Sequence, residues 1–342
     1  MTKDNQQNNE IENQDIVEAD RLHGLLANVG FRYEDCLDIT PITKEINQLK
    51  DEYGRVILAH HYMTPDITFG IADFAEDALG LIEQARRSKS NSIIMCTVLS
   101  LAECVKIACP EKTVFCPNKQ AGCSVADSIT ASDVRALKKK YPNAPAVAYI
   151  TTTAEVKAES DYIVTSANVN EVINALPDQQ ILFYPDYSMS TSLNAEFANK
   201  DIIGWDGTCV VHDNYTAEQV VQFKKQHPDT HVLFHSEVSP ELYPHGELHG
   251  GTKAMLNYVD DHPEVDSFFM VTECGLSDRL RATHPDKKFI GTCSLCPFMK
   301  MISLENTLEC LKNTDKKYEV TFSSDILNRA SVAYQRTEKL LA

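Results

Sequence analysis

VILAHHY, residues 56–62, is four aliphatic residues followed by two histidines and a tyrosine. A run so short and so apolar fits a strand buried on both faces, as in a parallel sheet covered by helices. Its polar rings then gather at the carboxyl end. Two other stretches have the same form, AVAYI (146–150) and HVLFH (231–235). Their ring-bearing ends, His60, Tyr149 and His235, are spaced by 89 and 86 residues. About 17 residues beyond each lies a small residue placed to open a helix: Ala78 in EDALG, Ser166 in TSANV, Thr252 in GGTKA. Later still comes a cysteine after a turn, Cys123 in QAGCS, Cys209 in DGTCV and Cys296 in SLCPF, spaced by 86 and 87 residues. Three markers on one period near 87 residues indicate an internal triplication.

The rest of the chain alternates in the same way. SIIMCTV (92–98), TVFCP (113–117), YIVT (162–165), ILFYP (181–185), DIIGW (201–205), FFMVT (268–272) and KFIGT (288–292) read as further strands. ITFGIADFAEDALGLIEQARR (67–87), LSLAECVKIA (99–108), TAEQVVQFKKQ (216–226) and ISLENTLECLKN (302–313) read as amphipathic helices. The expected fold is α/β: three pseudo-threefold-related αβα domains with short parallel sheets around a central active site. Residues 19–130, 131–215 and 216–300 supply the domains. Residues 301–342 form a C-terminal helical segment returning to the first, and the polar residues 1–18 read as a disordered leader. Ligands bind at the carboxyl ends of strands in open α/β units, so the common axis is the expected site.

A formal charge of −17 repels phosphate backbones and anionic lipid, which argues against nucleic acid or membrane as partners. No apolar run reaches the ~20 residues needed to cross a bilayer, and the N-terminus lacks the basic-then-apolar order of a signal peptide. The expected location is the cytoplasm, where thiols stay reduced. Eleven cysteines, an odd number, cannot form a complete disulfide framework. Most read as small buried apolar residues, Cys96, Cys104 and Cys109 among them. Cys123, Cys209 and Cys296 differ, because the repeat carries them to the axis. Three thiolates suit a zinc ion with an open fourth position, or a [4Fe–4S] cluster with one iron lacking a cysteine. The compact cysteine run of an electron-transfer ferredoxin is absent, and an open metal position favours catalysis. Cys293 forms a C-x-x-C pair with Cys296, but only Cys296 is in register, so Cys293 reads as a bystander or as half of a redox pair.

Groups suited to proton transfer fall at the same strand ends. His60 with Tyr62, and His235 with Glu237, are two residues apart and share a face if the strands continue. His212, three residues after Cys209, lines the metal or packs beside it. Helix N-termini facing the axis would offer N–H groups and positive dipole ends, with hydroxyls from Ser166 and Thr252, to a small anionic substrate. Both hydroxyls also fit ordinary N-caps.

The stretches LAHHYMTPDI, AGCS, AEVKAESDYIVTSANV, FYPD, DGTCVVH, HSE and CPFMK, recurring in order from about residue 40, resemble the quinolinate synthase family. The resemblance implies a [4Fe–4S] cluster on Cys123, Cys209 and Cys296. It also implies condensation of dihydroxyacetone phosphate with iminoaspartate, losing phosphate and water to give quinolinate for NAD biosynthesis. It places His60, Tyr62, Tyr149, His235 and Glu237 in the catalytic pocket, and Ser166 and Thr252 on substrate carboxylates. On that basis Glu237 with His235 shuttles protons, Tyr62 and His60 position substrate and act as acid, and the open iron polarises an oxygen. Iron–sulfur assembly proteins and an iminoaspartate-producing enzyme are the expected transient partners. Thr151, Gly251 and Lys253 complete the expected substrate-binding set with Ser166 and Thr252, although the chain departs from the family pattern at Ala78, Ser100, Thr151 and Gly251, with Lys253 following Thr252. Lys253 could meet an anion that the lost hydroxyls no longer bind. A homologue running the same chemistry on another small anion, a non-catalytic iron–sulfur sensor and a zinc enzyme are the alternatives.

Overall fold

A computed structural model of the chain describes residues 3–292, 294–313 and 316–342. The triplication appears as three four-stranded parallel sheets of one topology. The first comprises β1 (Val56–His60), β2 (Phe74–Glu76), β3 (Ser92–Cys96) and β4 (Thr113–Phe115) in the order β2-β1-β3-β4. β5 (Ala146–Tyr149), β6 (Tyr162–Val164), β7 (Gln180–Tyr184) and β8 (Asp201–Ile203) repeat it as β6-β5-β7-β8. β9 (His231–His235), β10 (Leu248–Gly250), β11 (Ser267–Val271) and β12 (Lys288–Phe289) repeat it as β10-β9-β11-β12. The first strand of each unit pairs on one side with the second and on the other with the third. Its carboxyl end therefore sits where the connections diverge, the crevice in which such sheets bind ligands. His60, Tyr149 and His235 occupy those three ends, as the sequence predicts.

Helices cover the sheets. The first unit carries α1 (Lys3–Leu26), α2 (Tyr33–Glu52), α3 (Pro65–Thr68), α4 (Ala78–Arg87) and α5 (Leu99–Ala108). The second carries α6 (Ala131–Lys140), α7 (Ala154–Glu159), α8 (Val169–Ala175) and α9 (Tyr187–Glu196). The third carries α10 (Ala217–Gln226), α11 (Thr252–Asp261) and α12 (Cys274–Thr283), followed by α13 (Leu304–Lys312) and α14 (Ser324–Leu341). α13 packs on α2, while α14 lies against α5 of the first unit and α7, β6 and α8 of the second. The inner strand positions are buried, and side chains of all three sheets share one core that includes Leu58, Ile94, Val147, Phe183, Leu233 and Phe268. Among the described residues, no helix is long and apolar enough to cross a membrane.

Two expectations need amendment. Residues 3–18, expected as part of a disordered leader, lie within α1. Leu22 and Leu26 bury against Cys36, and Glu18 bonds Arg21 and Thr43, which fixes the end of that helix. Residues 67–87, expected as one helix, are broken into α3, β2 and α4. A Cβ on Gly70 would lie 2.1 Å from the Asp66 carbonyl oxygen, so the chain turns tightly there. The Asp77 carboxylate then accepts from Gly80 N at 2.8 Å and starts a new helix. The edge strands β2 and β10 are only three residues long, too short for an alternation to register.

Candidate active site

Each of the three cysteines sits in the same local structure. Its carbonyl accepts a hydrogen bond from the residue four positions on: Asp127, Asp213 and Lys300. A short 3-10 turn begins three residues after it, at Ala126, His212 and Met299. Seven residues after it a capping box opens the next helix, Thr130 with Asp133, Thr216 with Gln219 and Ser303 with Asn306. The N–H groups two and three residues on point back at each sulfur, from Val125 and Ala126, Val211 and His212, and Phe298 and Met299. The loops are laced together. Ser124 Oγ donates to Thr208 O at 3.0 Å and accepts from Val210 N at 3.1 Å. Ser294 Oγ donates to Val211 O at 3.4 Å.

All three sulfurs line one cavity of about 90 Å³, together with His60, Tyr62, Tyr149, Thr151, Ser166, His235, Glu237 and Thr252. Burial pushes the Cys123 thiol up to about 12 and raises Cys209 and Cys296 as well. Thiols so disfavoured as free thiolates, yet each met by two N–H donors, fit a site built for a thiophilic cation, whose charge replaces the lost solvation. Cys293 lies outside the described residues.

Beside Cys209 runs a chain of hydrogen bonds that crosses all three units. Tyr62 OH meets Thr272 Oγ1 at 2.7 Å, and Thr272 Oγ1 meets His212 Nε2 at 2.9 Å. His212 Nδ1 meets Glu237 Oε2 at 3.1 Å, and Tyr149 OH donates to Glu237 Oε1 at 3.1 Å. Burial would raise the Glu237 carboxyl, but the His212 hydrogen bond, the nearby His235 and His212 rings and the Tyr149 hydrogen bond together outweigh it and hold the group below its ordinary value. A Glu237 carboxylate accepts the hydrogen bond from His212 Nδ1–H, which in the neutral ring leaves Nε2 to accept from Thr272 and Thr272 to accept from Tyr62. Every donor in the chain then points toward Glu237.

His60 and His235 share a second equivalence. Each Nδ1 accepts the backbone N–H two residues on, from Tyr62 at 3.2 Å and from Glu237 at 3.3 Å. The ring proton must therefore be on Nε2, at the other end of each imidazole. Burial lowers His60 to about 4 and His235 to about 3, so both are neutral near pH 7. The sequence paired Glu237 with His235. The structure pairs it with His212, on which His235 stacks at 4.3 Å between ring centroids. The strand ends at His235, so alternation no longer governs where Glu237 points.

The three positions expected to meet an anion differ from one another. Ala78 and Thr252 are the first residues of α4 and α11, but Ser166 lies in the turn before α8 and caps nothing. At α4 the Asp77 carboxylate occupies the helix N-terminus and itself lines the cavity, an arrangement that repels anions. At α11 the cap is Gly251, with no side-chain bond, so those N–H groups stay available beside Thr252. Gly251 adjoins the cavity without lining it; a Cβ there would stand 2.3 Å from Ser166 Oγ. Thr151 lines the cavity with its buried hydroxyl unpartnered. Ser100 is buried behind the wall, its hydroxyl also unpartnered, and Leu101 takes the lining position. Lys253 is exposed on the outer side of α11 and does not reach the cavity, so the expected cation for a substrate anion is absent from that position.

A family model described as quinolinate synthetase A protein matches residues 44–339. The quinolinate synthase of Caulobacter vibrioides (strain NA1000 / CB15N) is 38% identical over 300 residues, covering 86% of this chain and 81% of its own. The chain belongs to the quinolinate synthase family. Quinolinate synthase 2 of Mesorhizobium japonicum is 38% identical over 291 residues, 85% of this chain and 89% of its own. The quinolinate synthase of Xylella fastidiosa (strain 9a5c) is 38% identical over 297 residues, with 87% and 86% covered. Membership in this enzyme family gives the chain a catalytic role.

Sequence reasoning missed three residues of this quinolinate synthase site. Thr272 joins Tyr62 to His212. Glu273, fully buried, accepts from Cys296 N at 3.1 Å and pairs with Lys300 Nζ at 2.9 Å, which pins the third cysteine loop. Asp186 is its equivalent in the second unit, accepting from Met189 N at 2.7 Å. The interval from Asp186 to Glu273 is the repeat period, so the register that found the cysteines also marks these acids.

Proposed function

We propose that the chain is a quinolinate synthase, condensing dihydroxyacetone phosphate with iminoaspartate in NAD biosynthesis. We further propose a [4Fe–4S] cluster held by Cys123, Cys209 and Cys296. The observation that carries this reading is one cavity lined together by three equivalent cysteine loops and Glu237. Bound there, such a cluster supplies an iron without a protein ligand, a Lewis acid toward a hydroxyl or carbonyl oxygen.

The chain's own residues move protons and orient substrate. Glu237 takes a proton from the carbon acid during enolisation and returns it at a leaving hydroxyl. The Tyr62–Thr272–His212 chain keeps its second oxygen supplied with a donor. His60 and His235 offer neutral donors at Nε2, suited to an oxygen that gains charge as bonds shift. Thr252 and the N–H groups of α11 hold one carboxylate, Ser166 stands beside them, and Thr151 presents a free hydroxyl. The reducing cytoplasm suits such a thiolate-bound cluster.

The test is anaerobic incubation of the reconstituted protein with both substrates. Quinolinate formed above the cluster-free control supports the reading. An intact cluster with no quinolinate would instead favour a related small anion, a reading supported by Asp77 and Ala78 standing where a substrate anion would otherwise be met.

A further inference from the structure

Three donors of different chemistry meet beside the cavity wall. Cys209 Sγ, a His212 ring nitrogen and a Glu237 carboxylate oxygen lie within 4.8 Å of one another. They come from the second cysteine loop and from the second residue past β9. Their separation is close to that of ligands around one tetrahedral ion, and closing it needs a side-chain shift of about 1 Å.

Their surroundings match what holds metal ligands in place. Glu237 keeps its other oxygen on Tyr149 OH, and His212 keeps its Nε2 on Thr272. Partners of this kind fix ring orientation and raise ligand basicity. The sulfur meets the N–H groups of Val211 and His212. One thiolate, one carboxylate and a neutral imidazole exactly offset a divalent charge, so a buried complex would be electrically neutral. Sulfur and nitrogen donors select a transition ion over calcium or magnesium. The open cavity leaves room for water as the fourth ligand.

We propose that the protein lacking its cluster binds one divalent transition-metal ion on Cys209, His212 and Glu237. The site goes beyond the proposed function and shares only Cys209 with the proposed cluster ligands. The two occupants therefore exclude one another. An ion seated here also removes Glu237 and His212 from proton transfer, so the loaded protein is inactive until the ion is withdrawn. On binding, Cys209 gives up its thiol proton to solvent and forms the metal–sulfur bond, and the His212 ring proton moves from Nδ1 to Nε2, where Thr272 accepts it, so that Nδ1 bonds the metal; nothing is oxidised or reduced.

The experiment is anaerobic titration of the full-length, cluster-free protein with cobalt(II), followed by absorption. One ion per chain with a sulfur-to-cobalt charge-transfer band is expected. The double variant Cys123→Ser/Cys296→Ser, unable to hold a cluster, should bind within about threefold of the parent. Cys209→Ser should lose the charge-transfer band. His212→Ala and Glu237→Gln should each weaken binding at least tenfold, with unchanged circular dichroism showing that they fold. The proposal is overturned if cobalt needs Cys123 and Cys296 while ignoring His212 and Glu237, which would mean a three-sulfur site. It is equally overturned if the folded double variant takes up no ion. Because the readout is ion binding, its failure is separate from any failure to make quinolinate.

Discussion

Desolvation would raise the Glu237 carboxyl, but His212, His235 and Tyr149 around its oxygens hold it below its ordinary value. Glu237→Gln keeps the shape and removes the base. Turnover should fall by about 10²–10⁴-fold while the visible absorption of the reconstituted protein is unchanged. Full turnover in that variant would remove Glu237 from the mechanism. The histidines make a second prediction. Folded His60 resists protonation until about pH 4, whereas the unfolded chain takes up that proton near 6.5. Between those values the unfolded state binds more protons, so stability falls as pH falls from 6.5 toward 4. In urea titrations of the cluster-free chain at pH 7 and pH 5, His60→Asn should lessen the drop by roughly 1–2 kcal/mol. An equal drop in both proteins would place the titration elsewhere. At this scale the repeat register made the cysteines, His60, Tyr149 and His235 legible. It did not reveal that His212 bonds Glu237, because that contact joins two units and has no signature in local spacing. Lys253 was read from its position after Thr252, but the second residue of a helix turns its side chain by about 100° from the first, here outward.

The elements carrying these groups are held by close approaches that only small residues allow. Gly275, near the start of α12, sits against the backbone of Tyr62, where a Cβ would be 2.8 Å from three main-chain atoms. Backbone cannot swing aside as a flexible side chain can. Gly275→Ala should therefore force the third unit away from the first, costing about 1–3 kcal/mol and loosening the Tyr62–Thr272 contact. Differential scanning calorimetry would register the first effect, and a raised KM the second. An unchanged melting temperature would mean that the units separate without cost. The ten strands foreseen were those with four or five apolar residues in sequence, or a short buried run between turn residues. β2 (FAE) and β10 (LHG) each pair through three residues at a sheet edge, where burial is partial and neither composition nor alternation marks a strand. Their existence follows from the repeat, since β6 takes the same place in the second unit.

Across the whole molecule, one supersecondary plan used three times places three sheet crevices around a shared cavity. Each unit contributes a ring at a strand end and a cysteine in a loop clamped by a 3-10 turn and a capped helix. The triplication was legible because its markers are chemically unusual residues at fixed intervals. Which substrate fills the cavity was less so, because Ala78 and Thr151 alter its lining without altering its frame. The central claim is that three cysteines distant in sequence bind one cluster together. Iron and acid-labile sulfide should be counted after anaerobic reconstitution of the parent chain and of Cys123→Ser, Cys209→Ser and Cys296→Ser. The account predicts about four of each per parent chain and close to none in every variant. A full complement in any of the three variants would contradict it, as would a parent chain that takes up no sulfide.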